Sequence, residues 1–166
     1  MKRLLFLLLL ASGSVSAEKS QNRIHLSPSI KISEFRGADI QLGLTDVWTL
    51  DAVYLSYGES WNDADRYDEK ARFYRVGLQH MFEHIPNAGF QAEIGMATYK
   101  GDKYSNNVAE TKESLGLSIA GAYVYQINPN LGFRSGFDYS IFGQEKTHIY
   151  YGDSLLSFNL GFLLRF

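Results

Sequence analysis

The chain has 166 residues, with 16 basic and 18 acidic side chains, a formal net charge of −2 and no cysteine. The lack of cysteine excludes a disulfide scaffold and a thiolate metal site, and the slight acidic excess offers no basic surface for nucleic-acid binding. Fifteen glycines, 11 tyrosines and 11 phenylalanines beside three prolines are typical of an all-β chain rich in turns.

The first residues have the anatomy of a secretory signal peptide. Lys2 and Arg3 precede the apolar run 4–11, and small residues lead up to Ala17. The apolar run is too short to cross a bilayer as a helix, because a span needs about 20 residues. We therefore expect cleavage after Ala17 and a mature chain, 18–166, that forms one domain.

The mature chain is dominated by apolar side chains at every second position, the period of a β-strand with one apolar and one polar face. Residues 90–99 are the clearest internal example, with Phe90 and Ile94 on one face and Glu93 on the other. The segments predicted as strands are 24–32, 39–45, 49–58, 73–82, 90–99, 115–127, 131–142 and 154–166. We place Asp51 on the polar face of the third segment.

The final segment keeps this alternation to its end. Its apolar face consists of Leu156, Phe158, Leu160, Phe162, Leu164 and Phe166. The opposite face is smaller and more polar, and it includes Asn159, Gly161 and Arg165. An unbroken apolar face that ends in an aromatic residue is typical of a strand that meets lipid on one side.

The connections between the predicted strands alternate in length. Short ones lie near Asp46, at 85–89 and at 128–130, and long polar ones lie at 59–71, 100–113 and 143–153. Outer-membrane barrels have short periplasmic turns and longer external loops. If the last strand ends in the periplasm, every long connection lies outside the cell. The connection of the first hairpin, near Arg36, is short and therefore fits this pattern least well.

The polar faces carry charges that a soluble barrel with an apolar interior would not accommodate. If these faces point inward, the apolar faces meet lipid and the charges pair inside an eight-stranded barrel, whose interior side chains just fill. The predicted structural ion-pair network of the lumen consists of Arg75, Glu93, Arg134 and Asp138. The same face would carry Lys31, Asp51 and Arg165. We interpret the network as a plug rather than a gate or proton path, with glycines such as Gly77 making room for the long charged side chains.

With this alternation and the terminal Leu-Leu-Arg-Phe, the chain resembles the small eight-stranded outer-membrane β-barrels of Gram-negative bacteria, which include the OmpA membrane domain and the OmpX/Ail group. The resemblance implies an all-β, antiparallel, up-and-down transmembrane barrel with a side-chain-filled lumen, located in the bacterial outer membrane. It also implies contact with outer-membrane lipids and lipopolysaccharide, and insertion by the barrel-assembly machinery with Phe162, Leu164 and Phe166 as the assembly signal. It implies no single task, because such barrels include adhesins, stability factors and lipid A enzymes.

Candidate catalytic groups are sparse. His25 and Ser27 share one face of the first strand. A second set, His148, Asp153 and Ser154, lies in the last long connection. Either set could serve a lipid A acyl hydrolase or transferase, but both are more typical of structural residues. We therefore predict no catalytic residue and no cofactor.

The long connection 59–71 carries Asp63, Asp65, Asp68 and Glu69, and it could bind calcium or bridge to lipopolysaccharide phosphates through divalent ions. It lacks the glycine and the bidentate glutamate of an EF-hand loop, so we interpret it as a solvated external loop and predict no metal site. The expected function is a non-enzymatic one, in envelope integrity or in surface interaction with an unidentified ligand. The alternatives are a lipid A-modifying acyl hydrolase or transferase and a soluble lipocalin-like carrier.

Overall fold

A computed structural model describes residues 23–64, 67–105, 108–143, 147–149 and 153–166. Its strands are β1 (Ile24–Ile32), β2 (Arg36–Val47), β3 (Leu50–Ala64), β4 (Tyr67–Met81), β5 (Ala88–Ser105), β6 (Val108–Asn128), β7 (Leu131–Phe142) and β8 (Ser154–Arg165). Each strand pairs with the next and β1 pairs with β8, so the sheet closes into a barrel. The predicted eight-stranded, antiparallel, up-and-down barrel is confirmed. The predicted signal peptide and its cleavage site at Ala17 lie outside the described residues.

Closure of the barrel takes place between its first and last strands. Leu26 faces Leu164 across this seam. The backbone N–H of Ile24 donates to the carbonyl oxygen of Phe166 at 2.9 Å, and the N–H of Phe166 donates back at 3.1 Å. A closed sheet pairs its backbone groups internally, which a lipid environment requires. Among the described residues, no helix is long and apolar enough to cross a membrane.

Two of the predicted long loops are mostly strand. β3 extends to Ala64 and β4 begins at Tyr67. In the same way, β5 extends to Ser105 and β6 begins at Val108. The prediction of loops at 59–71 and 100–113 was therefore wrong for most of these residues. Apolar alternation disappears where the outer face of a sheet meets water instead of lipid, although the backbone ladder continues, so the sequence pattern gave no sign of the strand there.

The outer wall carries the apolar side chains, as predicted. Ile94, Leu117 and Phe158 are more than half exposed on this wall. Six exposed aromatic residues near strand ends all lie at the end of the barrel with the short connections, here called the turn end: Trp48, Phe82, Phe90, Tyr125, Phe133 and Phe166. The opposite end is called the hairpin end. The apolar wall runs from Tyr74 on β4 to Phe82 just after the strand, which matches the about 9–11 residues of a tilted membrane-spanning strand.

The connection between β2 and β3 shows how tight the turn end is. Asp46 and Trp48 have positive φ angles of 57° and 55°, a conformation that reverses the chain within a few residues. Trp48 is 94% exposed at the tip of this turn. An indole that projects from the end of the barrel is well placed at a membrane–water interface.

Candidate functional site

The middle of the lumen holds six buried charged residues, here called the ionic cluster: Lys31, Asp39, Arg75, Glu93, Arg134 and Asp138. Lys31 Nζ lies 2.6 Å from Asp138 Oδ1, and Arg75 Nε lies 2.9 Å from Glu93 Oε2. Arg134 pairs with Asp39. Its three cations and three carboxylates balance, so the cluster has no formal net charge.

Neutral side chains add hydrogen bonds to this cluster. Gln41 Nε2 donates to Glu93 Oε1 at 2.5 Å, and Ser56 Oγ donates to Glu93 Oε2 at 2.7 Å. Arg134 Nη2 donates to Ser29 Oγ at 2.7 Å. Burying charges is tolerated only when they are paired and hydrogen-bonded, and this lumen supplies both.

All four residues of the predicted lumen network lie in the ionic cluster. Two members, Lys31 and Asp39, were not placed in the predicted network, although both lie on the inner face of their strands. The register between β1 and β2 sets Asp39 opposite Ser29, beside Arg134. Cross-barrel proximity of this kind follows from closure and register, which alternation within one strand does not reveal.

The inward placement of Asp51 was wrong. Its neighbour Ala52 is buried in the lumen, so Asp51 lies on the other face of β3. Its Oδ2 accepts a hydrogen bond from the backbone N–H of Met81 at 2.6 Å and lies 3.4 Å from Nδ1 of His80. Near the turn end, a carboxylate on the outer face can bond to polar groups and to water at the membrane interface. It therefore need not face the lumen to be solvated.

Toward the hairpin end, the lumen is filled by a buried apolar group, here called the outer plug: Phe35, Ala71, Phe73, Ala97, Tyr99, Phe142 and Leu155. Ile149 of the β7–β8 connection packs against it. Phe73 is the plug residue that contacts the ionic cluster, with Lys31 Nζ 3.9 Å from its ring centroid. Apolar alternation does not reveal this plug, because Phe35 comes from a loop and the other residues come from strand positions on the less apolar face.

Toward the turn end, the lumen contains a chain of neutral polar side chains. His25 Nε2 lies 3.1 Å from Gln41 Oε1, and Gln91 Nε2 donates to Gln79 Oε1 at 3.0 Å. His25 also stacks on Tyr54, with ring centroids 4.8 Å apart. These contacts continue the filling of the lumen below the ionic cluster.

Gly77 makes room for an aromatic ring rather than for a charged side chain. A Cβ at this position would lie 2.3 Å from Cε2 of Tyr54. The expectation that Gly77 accommodates the long arginine and glutamate side chains was therefore wrong. Tyr54 fits flat against β4 because the neighbouring strand has no side chain there.

The candidate catalytic sets have structural partners. His25 and Ser27 face the lumen as predicted, but His25 bonds to Gln41, and Ser27 Oγ donates to the carbonyl oxygen of Phe162 at 2.7 Å. In the second set, His148 Nε2 lies 3.0 Å from the carbonyl oxygen of Glu110. Asp153 accepts a hydrogen bond from Thr147 Oγ1.

The carboxylates of the connection 59–71 are spread over both faces of the β3–β4 hairpin. Asp63 faces Asp68 across the strands, whereas Glu69 is buried and accepts hydrogen bonds from Tyr99 Oη and Asn62 Nδ2. Asp65 lies outside the described residues. Within the described ranges, no group of three or more His, Cys, Asp or Glu side chains is arranged to hold a metal ion.

Above the apolar wall, the outer faces of β3 and β4 become charged. The rings of Tyr57 and Tyr74 lie 5.3 Å apart at the upper limit of the apolar wall. Beyond these tyrosines, toward the hairpin end, Glu59 contacts Arg72 Nε at 3.0 Å and Lys70 Nζ at 2.8 Å. Hydrogen bonding from Lys70, followed by that from Tyr57, lowers the pKa of Glu59 to about 2.

A closed barrel with an apolar outer wall, an aromatic girdle and a filled polar lumen defines an integral outer-membrane β-barrel protein. The outer-membrane location predicted from sequence follows from this wall and this fold.

Known proteins are similar in fold. A scan of protein-family models and a search of curated proteins found no match. Among solved structures, the Ail protein of Yersinia pestis in a phospholipid bilayer nanodisc has a TM-score of 0.64 at 14% identity, over 88% of this chain and 100% of that one. The N-terminal β-barrel domain of Pseudomonas aeruginosa OprF has a TM-score of 0.62 at 15% identity, over 88% and 98%. A major outer-membrane protein of Thermus thermophilus has a TM-score of 0.64 at 13% identity, over 89% and 100%. The predicted resemblance to the small outer-membrane barrels is confirmed at the level of the fold.

Proposed function

We propose that this protein is a non-enzymatic outer-membrane barrel that acts at the cell surface through the sheet projecting from its hairpin end. The observation that carries the proposal is the length of β5 and β6, which pair with each other out to Ser105 and Val108. The β4–β5 pairing also continues to Tyr67 and Lys103. The projecting sheet therefore consists of the ends of β3, β4, β5 and β6, beyond the tyrosines that limit the apolar wall.

One border of this sheet has no neighbouring strand among the described residues. Pairing of β6 with β7 begins at Gly116, opposite Phe142, so residues 108–115 form the border of the projecting sheet. His148 reaches the carbonyl oxygen of Glu110 on this border. A strand border exposed to water can accept an extended peptide from another protein, and charged side chains on it limit self-association.

The ionic cluster and the outer plug support a structural rather than a conducting lumen. Their side chains fill an eight-stranded barrel, whose interior leaves little room for a continuous water path. Arg75, Glu93, Arg134 and Asp138 would then stabilise the barrel and set its register. The mature chain would begin after Ala17.

The projecting sheet can be tested by shortening it without touching the barrel. Gly101 and Lys112 face each other across β5 and β6, so an Asn-Gly turn can replace residues 102–111. In a strain lacking the protein, we expect the shortened protein to restore survival in detergent but not cell attachment to protein-coated surfaces. The full-length protein should restore both. Full attachment with the shortened protein would contradict the role of the sheet, and no effect of the full-length protein on either property would contradict the proposed function.

The absence of enzymatic activity has a direct test in lipid A mass spectra. We expect identical acyl chain patterns from cells that lack and cells that overproduce the protein. An acyl chain gained or lost in proportion to expression would contradict the proposal and favour the lipid A-modifying alternative. Alanine at His25, Ser27, His148 or Ser154 would then identify the responsible set.

Phe166 is proposed to act in assembly, together with Phe162 and Leu164 as the signal read by the barrel-assembly machinery. Phe166→Ala should lower the folded fraction in the outer membrane, measured as the heat-modifiable band in unheated gel samples. Phe133→Ala is the matched control, because Phe133 is also an exposed aromatic at the turn end. Equal folded yields for the two variants would contradict a special role of the terminal residue.

A further inference from the structure

The described residues of the β7–β8 connection touch the border 108–115 of the projecting sheet at successive positions. At the base of the connection, the backbone N–H of Phe142 donates to the carbonyl oxygen of Asp153 at 2.8 Å. The next backbone N–H, that of Gly143, donates to Ser114 Oγ at 3.1 Å. The connection therefore leaves the barrel beside β6, where the pairing of β6 with β7 has ended.

A short segment of this connection, here called the strap (147–149), lies further along the border. Lys112 Nζ donates to the carbonyl oxygen of Thr147 at 3.2 Å, and His148 Nε2 lies 3.0 Å from the carbonyl oxygen of Glu110. Both contacts lie closer to the tip of the projecting sheet than the contact at the base of the connection. The strap therefore follows the side of β6 that has no neighbouring strand in the described part of the chain.

The strap is also attached to the filled lumen. Ile149 packs against the outer plug, and the backbone N–H of His148 donates to Tyr99 Oη at 3.0 Å. The hydroxyl of Tyr99 in turn donates to the buried carboxylate of Glu69. The ring of His148 lies 6.1 Å from that of Tyr67 at the start of β4. One apolar contact and a few polar ones thus hold the strap over the hairpin end.

On the border, the strap is held mainly by side chains rather than by a strand ladder. Ser114 and Lys112 contribute side-chain groups, and Glu110 contributes a backbone carbonyl. The side chains of Lys112 and Glu110 are 27% and 61% exposed, so water can replace these partners at little cost. An extended peptide on the border would form a continuous set of backbone hydrogen bonds instead. The strap is therefore a displaceable cover of the border.

We propose that the strap is an autoinhibitory element, which must leave the border before an extended peptide can add to β6. This inference rests on the proposed function, in which the border 108–115 accepts a partner. In the closed arrangement, His148 occupies a backbone acceptor of the border and Lys112 is bonded to the strap. The same cover keeps a water-exposed strand border from pairing with a second copy of the chain, a hazard of edge strands in general.

The test compares peptide binding by the wild type and by a variant with a released strap, H148A/I149S, in phosphatidylcholine nanodiscs. The probe is a short fluorescent peptide of alternating threonine and valine with a lysine at each end, a composition that favours strands. The matched control, H80A/F35L, removes an exposed histidine and alters the plug but leaves 147–149 intact. Fluorescence anisotropy should show about fivefold or more tighter binding by H148A/I149S, because a covered site lowers the apparent affinity by the fraction that is open. The control should bind like the wild type.

Two further measurements show whether the gain comes from uncovering the border. A backbone N-methylated form of the peptide should not bind, because it cannot donate to the border. Acetylation of Lys112, measured by mass spectrometry relative to the 62% exposed Lys100, should be faster in H148A/I149S than in the wild type. Gel-shift assays on unheated samples establish that each variant is folded.

Equal peptide affinity of the wild type and H148A/I149S, including no binding to either, would overturn the autoinhibitory role. Equal binding of the N-methylated peptide, or unchanged acetylation of Lys112, would overturn it as well. Failure of the proposed function is a separate result, because it is seen as full cell attachment by the protein that lacks residues 102–111.

Discussion

The two central regions of the lumen are filled by opposite kinds of side chain. The ionic cluster consists of paired charges with specific hydrogen-bond partners, whereas the outer plug is made largely of aromatic and aliphatic groups in contact. Phe73 of the plug contacts Lys31 of the cluster. The difference teaches that one narrow lumen can be closed either by directional pairing or by apolar packing. The two regions should respond differently to substitution, because only the first loses a charge partner.

The largest effect is expected from removing one charge of the cluster. Arg134→Leu takes the closest cation away from Asp39, and breaking a buried pair costs about 3–5 kcal/mol. The free energy of unfolding, measured by urea titration of the barrel in micelles, should fall by this amount. The double variant R134L/D39L should recover part of the loss. A loss below about 1 kcal/mol in R134L would show that the pairing contributes little.

A smaller effect is expected where the lumen is packed against Gly77. Gly77→Ala places a Cβ against the ring of Tyr54, and such overpacking costs about 1–3 kcal/mol. Combining G77A with Tyr54→Leu should give less than the sum of the two single losses in the same urea titrations. Additive losses would indicate that the ring and the glycine do not interact.

The outer plug should tolerate a change of shape that keeps its apolar character. Phe142→Leu retains most of the buried volume, and substitutions of this kind cost less than about 1.5 kcal/mol. The heat-modifiable band and the urea midpoint should therefore change little. A loss as large as that of R134L would remove the contrast between the two regions.

The smallest effect is expected from an ion pair outside the lumen. Glu59→Gln removes the contacts to Lys70 and Arg72, which water screens, so the loss should be about 0.2–1 kcal/mol at neutral pH. The pKa of Glu59 is lowered from 4.5 to about 2, so its contribution is present above pH 4.5 and is lost as the pH falls toward 2. The unfolding curves of the wild type and E59Q should converge over this range. A constant difference would exclude Glu59 ionisation as the cause.

Much of the barrel could be predicted from the sequence, since apolar alternation reports which face of a strand meets lipid. The outward Ile94 and Phe158 and the inward Glu93 and Arg134 follow directly from it. The projecting parts of β5 and β6 could not be predicted, because a strand whose outer face meets water instead of lipid has no reason to alternate.

The sequence by itself determined the class of this protein: an all-β chain whose strands have one apolar and one polar face forms a barrel with lipid outside and charge inside. The tertiary structure decided which charges meet. Asp39 pairs with Arg134 across the lumen, and Phe35 enters the outer plug from a loop. These contacts join residues far apart in the chain, and strand register and barrel closure bring them together. Periodicity is a local property of one strand, so it sets the face of a side chain but not its partner.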